Sequence, residues 1–172
     1  FPNVPRVLFV CTANVNRSAM GEAWARYYFE QRFVAADVRS AGVIAIDYKG
    51  DPEARKTHEN HPFSRAAAFA VEVMEAHGLD LSQHRSPRTT AGMLEWADAV
   101  LVMEPAHAEH LLTLSAEAES KIEGLWAYCD GDLDRVWDPQ GRTLEDYKTS
   151  ANLIGDAVKR FVAAHLAARR RG

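Results

Sequence analysis

The segment Cys11–Ser18, with the sequence CTANVNRS, constrains this chain most, because it joins a short apolar run to a helical pattern. We call it the anion loop. A loop of this length between a strand and a helix can turn its backbone N–H groups inward, and the helix N-terminus adds further donors. The segment therefore predicts a binding site for a tetrahedral oxyanion.

Three side chains of the anion loop have the chemistry that such a site needs. The planar guanidinium of Arg17 can bind two oxygens of one anion, and a cation at a helix N-terminus opposes the helix dipole unless an anion binds there. The same field would stabilise Cys11 as a thiolate, which is the nucleophilic form. Ser18 can donate a hydrogen bond to that sulfur. A nucleophilic cysteine is therefore favoured over a structural one.

A cysteine that attacks a phosphate ester needs a proton donor for the leaving oxygen, and Asp138 is the candidate. Pro139 follows it and restricts Asp138 to an extended conformation. An Asp-Pro pair alone is more often a turn or a helix start. Together with the anion loop, we interpret it as a general acid.

Apolar runs alternate with helical patterns along most of the chain. This alternation predicts a parallel sheet with helices on both faces, in one domain that spans residues 1–172. A polar stretch at 46–62 lacks either pattern and is expected to be functional or mobile. The predicted strands lie at 6–10, 38–41, 99–103 and 122–126, and the predicted helices at 18–33, 64–77, 90–96, 105–112 and 144–168.

Composition excludes several classes of partner. The formal net charge of −4 over 172 residues argues against nucleic acid, and no apolar run is long enough to span a bilayer. Two cysteines make no disulfide framework. We therefore expect a cytoplasmic protein without nucleic-acid or membrane partners.

Residues 7–23, VLFVCTANVNRSAMGEA, resemble the signature of the low-molecular-weight phosphotyrosine phosphatases. Residues 40–42, 78–85, 97–103 and 138–139 resemble further segments of that family in the same order. The resemblance implies a three-layer α/β/α fold whose four parallel strands have the order 2-1-3-4. It also implies hydrolysis of phosphate monoesters through phosphocysteine, with no metal or cofactor. The implied partner is a phosphotyrosine protein or a small phosphomonoester, and we expect a monomer or weak dimer.

The resemblance also assigns roles to individual residues. Cys11 would be the nucleophile, Arg17 the phosphate clamp, and Asp138 first the acid and then the base. Asn14 would hold the strained backbone of the loop, and His84 would bind Asn14 from beneath. The residues expected to bind phosphate or support the loop are Thr12, Ala13, Asn14, Val15, Asn16, Ser18 and His84.

Two departures from the family pattern lie within the anion loop. Ala13 stands where the family usually has glycine, so the backbone is expected to be slightly altered there. Asn16 stands where many members have a second cysteine that can protect the nucleophile in a disulfide. Oxidised Cys11 is therefore expected to proceed more easily to irreversible states.

Other departures bear on the substrate. Gln140 stands where an aromatic wall of the phosphotyrosine slot is common, so Tyr48 or Trp137 would have to supply a wall instead. Val15 occupies a position that is usually aliphatic in tyrosine phosphatases and threonine in arginine phosphatases. It therefore favours phosphotyrosine over phosphoarginine.

Three alternative functions stay open from the sequence. An arsenate reductase on the same fold would need an external thiol, because Cys129 is the only other cysteine. A small-molecule phosphatase is suggested by Gln140 and by the 46–62 segment. A non-catalytic phosphate-binding module is disfavoured because nucleophile, clamp and acid are all present.

Overall fold

The computed structural model of the protein describes residues 3–43 and 65–172. Four strands form one sheet in the order β2-β1-β3-β4, and every neighbouring pair is parallel. The strand order and direction predicted from the sequence are therefore confirmed. The strands are β1 (Arg6–Cys11), β2 (Asp37–Gly42), β3 (Ala99–Val102) and β4 (Ile122–Gly124).

Helices cover both faces of this sheet. Val7 and Phe9 of β1 face a core built with α1, α2 and α5, whereas Leu8 and Val10 face a second core built with α3 and α4. The three-layer arrangement is thus confirmed, and no helix within the described ranges is long and apolar enough to cross a bilayer. The helices are α1 (Arg17–Gln31), α2 (Ala68–Glu75), α3 (Ala91–Trp96), α4 (Pro105–Leu114) and α5 (Leu144–Arg171), with short 3-10 turns at Ala116–Lys121 and Leu125–Tyr128.

Several predicted boundaries differ from the structure by a few residues; for example, α1 ends at Gln31 rather than at 33, and α5 ends at Arg171 rather than at 168. Strand β4 ends at Gly124 rather than at 126, because its partner β3 ends at Val102, which pairs with Gly124. Helix α2 begins at Ala68, four residues after the predicted start at 64. The predicted cap Ser64, the 46–62 segment and the candidate wall Tyr48 lie outside the described residues.

Helix α1 is held in place by close packing against α5. The indole Nε1 of Trp24 donates a 3.1 Å hydrogen bond to the carbonyl of Ala151. A side chain at Gly155 would place its Cβ 2.8 Å from the same indole, so only glycine allows this approach. The packing fixes the direction of α1 and so places its N-terminus, which carries the anion loop, at the end of the sheet.

Candidate active site

The segments that follow β1, β2 and β3 begin close together, because parallel strands present their carboxyl ends at one edge of the sheet. Strand β1 ends at Cys11, which pairs with Gly42 of β2, and β3 ends beside them at Val102. A Cβ at Gly42 would lie 2.9 Å from the carbonyl oxygen of Thr12. Glycine at that position therefore lets the anion loop lie directly against the end of β2.

The sulfur of Cys11 lies at the base of the anion loop with hydrogen-bond partners around it. The residue is 3% exposed, its Sγ lies 2.9 Å from the Oγ of Ser18, and the backbone N–H of Asn14 donates to it at 3.3 Å. Ser18 Oγ itself accepts a 2.6 Å bond from Asn14 Nδ2. The Ser18 hydroxyl hydrogen is therefore available to the sulfur.

Asn14 holds the bend of the anion loop in a left-handed backbone conformation, with φ of 56°. Asparagine tolerates this region better than most residues with a side chain. The carbonyl oxygen of Asn14 accepts bonds from His84 Nε2 at 2.8 Å and from Ser86 Oγ. Ala13 has no positive φ and also accepts a bond from Ser86, at 3.1 Å, so alanine fits there without backbone strain.

Arg17 begins α1 and is almost fully buried, with 1% of its surface exposed. Its NH1 donates to Glu104 Oε2 at 2.9 Å and to the carbonyl of Val136 at 2.8 Å. Its NH2 lies 3.4 Å from Thr12 Oγ1 and 3.7 Å from Asp138 Oδ2. One side of the guanidinium is thus fixed, and the other faces the predicted acid.

Sequence reasoning missed Glu104 and His107, which support this arrangement from the start of α4. The backbone N–H of Glu104 donates to His107 Nδ1 at 3.1 Å, and His107 Nε2 lies 2.9 Å from Thr12 Oγ1. Burial, followed by the charge of Arg17, lowers the pKa of His107 to about 4. The ring is therefore neutral at pH 7 and carries its hydrogen on Nε2, from which it donates to Thr12.

A signal for Glu104 does exist in the sequence. Met103-Glu104 directly follows the apolar run of β3, and that strand neighbours β1 in the sheet. A carboxylate at that strand end must lie near the anion loop. Ser86 offered no comparable signal, because only its fold context brings it beneath Asn14.

The predicted acid lies on a loop that we call the acid loop, residues 136–142. Asp138 has 43% of its side chain exposed, and its Oδ1 accepts a 3.0 Å bond from the backbone N–H of Gln140. The side chain of Gln140 accepts a 2.8 Å bond from Asn16 Nδ2 in the anion loop. Trp137 is 64% exposed. The structure thus brings Asp138 and Gln140 to the anion loop and leaves the Trp137 indole largely in solvent.

The remaining predicted residues fall as follows. Val15 is half-buried, and its carbonyl accepts a 3.0 Å bond from the backbone N–H of Ala67, just before α2. Cys129 is half-buried on a different segment, where burial raises the pKa of its thiol. In the part of the chain that the structure describes, no cluster of three histidine, cysteine or acidic residues could hold a metal ion.

Taken together, the site has a sulfur at its base, a guanidinium at its side and a carboxyl group at its rim. Helix α1 begins at Arg17 in the same place, and the free N–H groups of a helix N-terminus complement negative charge. This arrangement can hold a tetrahedral anion while a nucleophile attacks from below and a proton is supplied from above.

Comparisons with known proteins give matches over nearly the whole chain. A family model described as "Low molecular weight phosphotyrosine protein phosphatase" matches residues 6–171. A protein-arginine-phosphatase of Bacillus subtilis is 29% identical over 90% of this chain and 93% of its own length. A probable low molecular weight protein-tyrosine-phosphatase, EpsP of Ralstonia nicotianae, is 27% identical over 92% and 94%. The solved structure of YwlE arginine phosphatase, as a cysteine-to-serine mutant with a phosphorylated active-site serine, superposes with a TM-score of 0.79 at 27% identity, covering 96% of this chain and 98% of that one.

Proposed function

The chain belongs to the low-molecular-weight phosphotyrosine protein phosphatase family, and we propose that Cys11, Arg17 and Asp138 carry its hydrolysis of phosphate monoesters. The observation that carries the proposal is the position of the Cys11 sulfur. It lies 2.9 Å from Ser18 Oγ and 3.3 Å from the Asn14 nitrogen, in a loop whose arginine faces Asp138 at 3.7 Å. These contacts support a site in which nucleophile, clamp and acid act on one phosphate group.

In the first step the Cys11 thiolate attacks phosphorus. The sulfur–phosphorus bond forms, the bond to the ester oxygen breaks, and that oxygen takes a proton from Asp138. Ser18 Oγ and the Asn14 N–H, which both contact the sulfur, stabilise its negative charge before the attack. Arg17 and the N–H groups of the α1 N-terminus bind the remaining phosphate oxygens, so the transition state meets donors that are already in place.

In the second step Asp138, now a carboxylate, takes a proton from water. The water oxygen attacks phosphorus, the sulfur–phosphorus bond breaks, and phosphate leaves with Cys11 again a thiolate. The similar YwlE mutant structure supports a covalent intermediate at this position, because its active-site serine, which replaces a cysteine, is phosphorylated. Glu104 and the Val136 carbonyl hold Arg17 through both steps.

Phosphotyrosine in proteins is the substrate class we favour. Val15 has the aliphatic character that the family resemblance associates with tyrosine phosphatases, and the exposed indole of Trp137 directly precedes Asp138. Phosphoarginine in proteins is the second candidate, because the Bacillus subtilis relative named a protein-arginine-phosphatase is 29% identical. Turnover of one peptide in phosphotyrosine and phosphoarginine forms, beside sugar and nucleotide phosphates, distinguishes these classes. A preference for the small phosphates would contradict a protein substrate.

Phosphate release from para-nitrophenyl phosphate, without added metal, tests the mechanism. We expect Cys11→Ser to lower kcat/KM by about 10³-fold or more, because a serine hydroxyl is a far weaker nucleophile than a thiolate. Cys129→Ser is the matched control, since it removes the other cysteine. Equal activity of Cys11→Ser and wild type would contradict the proposal.

Arsenate reduction with an external thiol is measured on the same proteins. Burial raises the pKa of Cys129, which disfavours this second thiol as a reactive relay. Arsenite production that exceeds phosphate release would favour the reductase instead. Because Cys11 must stay reduced to act as nucleophile, we also propose that the protein works in a reducing compartment such as the cytoplasm.

A further inference from the structure

We propose that Asn16 and Gln140 form a positioning pair that holds the acid loop on the anion loop, so that Asp138 is aimed at the leaving oxygen. The two side chains join segments 124 residues apart through the 2.8 Å bond from Asn16 Nδ2 to Gln140 Oε1. This inference rests on the proposed function, in which Asp138 is the general acid.

Asn16 is the N-cap residue of α1, yet its side chain makes no capping hydrogen bond. Asparagine is a preferred N-cap because its side-chain oxygen can accept from the second or third N–H of a helix. Here the side chain is 97% buried and is directed to another loop instead. Asn16 therefore leaves the first N–H groups of α1 uncapped, which allows them to bind phosphate oxygens, and its side chain holds the acid loop instead.

Gln140 links the hydrogen bond with Asn16 to the proposed acid, Asp138. Its side chain accepts from Asn16, and its backbone N–H donates to Asp138 Oδ1 at 3.0 Å. One carboxyl oxygen of Asp138 is thus occupied, and the other, Oδ2, lies 3.7 Å from Arg17 NH2 at the anion site. We infer that Oδ2 is the oxygen that carries the proton to the leaving group.

The acid loop needs such a tie because, within the described residues, its other hydrogen bonds to neighbouring segments lie at its two ends. Val136 donates its N–H to the Met103 carbonyl at 2.8 Å on one side. On the other side, a capping box between Thr143 and Asp146 starts α5. Between these anchors Pro139 is buried, whereas Trp137 and Gln140 are exposed. A carboxyl group displaced by about 1 Å transfers its proton far less efficiently.

Loss of the pair should therefore lower kcat/KM, and the decrease should be larger for substrates whose leaving group is more basic. Phenyl phosphate has a basic leaving group and depends on the acid, whereas para-nitrophenyl phosphate has an acidic one and depends on it little. The ratio of the two kcat/KM values reports acid positioning, because kcat/KM includes the transfer of phosphate to the cysteine. A purely structural effect would lower both values equally.

The test compares Gln140→Met, which has a similar length but no acceptor, with Gln140→Glu, which keeps an oxygen for Asn16. Gln140 is exposed, so both variants should fold. We expect Gln140→Met to lower kcat/KM about tenfold for phenyl phosphate and about twofold or less for para-nitrophenyl phosphate. Gln140→Glu should restore most of the loss. Arg142→Ala, an exposed neighbour in the acid loop, is the matched control.

Two further variants complete the test. Asn16→Ala should reproduce the Gln140→Met ratio, and the double variant should be no worse than either single one, because both remove the same bond. In the Asp138→Asn background, Gln140→Met should no longer change the ratio of kcat/KM for phenyl phosphate to kcat/KM for para-nitrophenyl phosphate. Equal losses for both substrates in Gln140→Met would overturn the positioning pair while the Cys11→Ser result still supports the proposed function. Absence of any leaving-group effect in Asp138→Asn would overturn both the acid and the pair.

Discussion

The anion loop and the acid loop form one site but are held in opposite ways. Anion-loop residues Asn14, Asn16, Arg17 and Ser18 are each at most 3% exposed, and hydrogen bonds with three other segments, at Glu104, at His84 and Ser86, and at Gln140, support the loop. In the acid loop, by contrast, Trp137 is 64% exposed and the Asp138 side chain 43% exposed. The first loop is built into the core, whereas the part of the second that carries Trp137 and Asp138 lies on the surface.

The difference indicates a division of labour between the two loops. Phosphate is common to every substrate of such an enzyme, so the groups that bind it can be fixed by burial and by strained backbone, as at Asn14. The leaving group differs between substrates, and it is met by the exposed loop. Apart from Asn16, which contacts the acid loop, we therefore expect anion-loop changes to lower kcat/KM for all substrates and to affect protein stability, and acid-loop changes to lower kcat/KM for selected substrates only.

The largest expected effect comes from Arg17→Lys. Lysine keeps the charge but lacks the planar fork that contacts Glu104 and the Val136 carbonyl and that we propose binds phosphate. We expect kcat/KM to fall about 10³-fold for every phosphate ester, whatever its leaving group. Steady-state kinetics with the two aryl phosphates measure this. Arg26→Lys, on the same helix with 61% of its side chain exposed, is the control. A decrease in kcat/KM that varies with the leaving group would contradict the division of labour between the two loops.

The next effect is a pH dependence of stability that comes from His107. Burial, then Arg17, lowers its folded pKa to about 4, while nearby Glu104 and Asp138 raise it less. Between pH 6.5 and 4 the unfolded chain binds a proton at this site that the folded protein does not. The free energy of unfolding should therefore decrease as pH falls through this window, by about 3 kcal/mol in total.

Urea unfolding of His107→Gln at several pH values checks this prediction. The variant should lose that part of the pH dependence, because its side chain does not titrate. His110→Gln, an exposed histidine of the same helix, should behave like wild type. Identical slopes in His107→Gln and wild type would contradict the prediction, because they would show that His107 binds its proton equally in the folded and unfolded states.

The smallest effect is expected for Trp137→Ala in the acid loop. Because the indole is 64% exposed, the free energy of unfolding should change by less than about 0.5 kcal/mol. If the indole contacts an aromatic leaving group, KM for a phosphotyrosine peptide should rise about fivefold, with no change for a sugar phosphate. Phe33→Ala, another exposed aromatic beyond the other end of α1, is the control. An equal change in KM for both substrates would contradict a role of Trp137 as a wall of the phosphotyrosine slot.

Much of the fold follows from local patterns in the sequence. Apolar runs such as residues 99–103 mark buried strands, and their alternation with helices favours a parallel sheet. The exact ends of the strands and helices were harder to predict from the sequence. Strand β4 stops at Gly124 because its neighbour β3 stops at Val102, and no pattern near Gly124 shows that. Boundaries depend on the partner strand as well as on the residues themselves.

The sequence by itself determined the strand–loop–helix segment that carries Cys11, Arg17 and Ser18, because those residues lie within one local turn of chain. Only the tertiary structure decided that Glu104 and His107 support Arg17 and Thr12, and that Gln140 bonds to Asn16. Those contacts join residues 87, 95 and 124 positions apart. Their existence depends on which strand ends meet at one edge of the sheet, a property of the packed layers that no local spacing encodes.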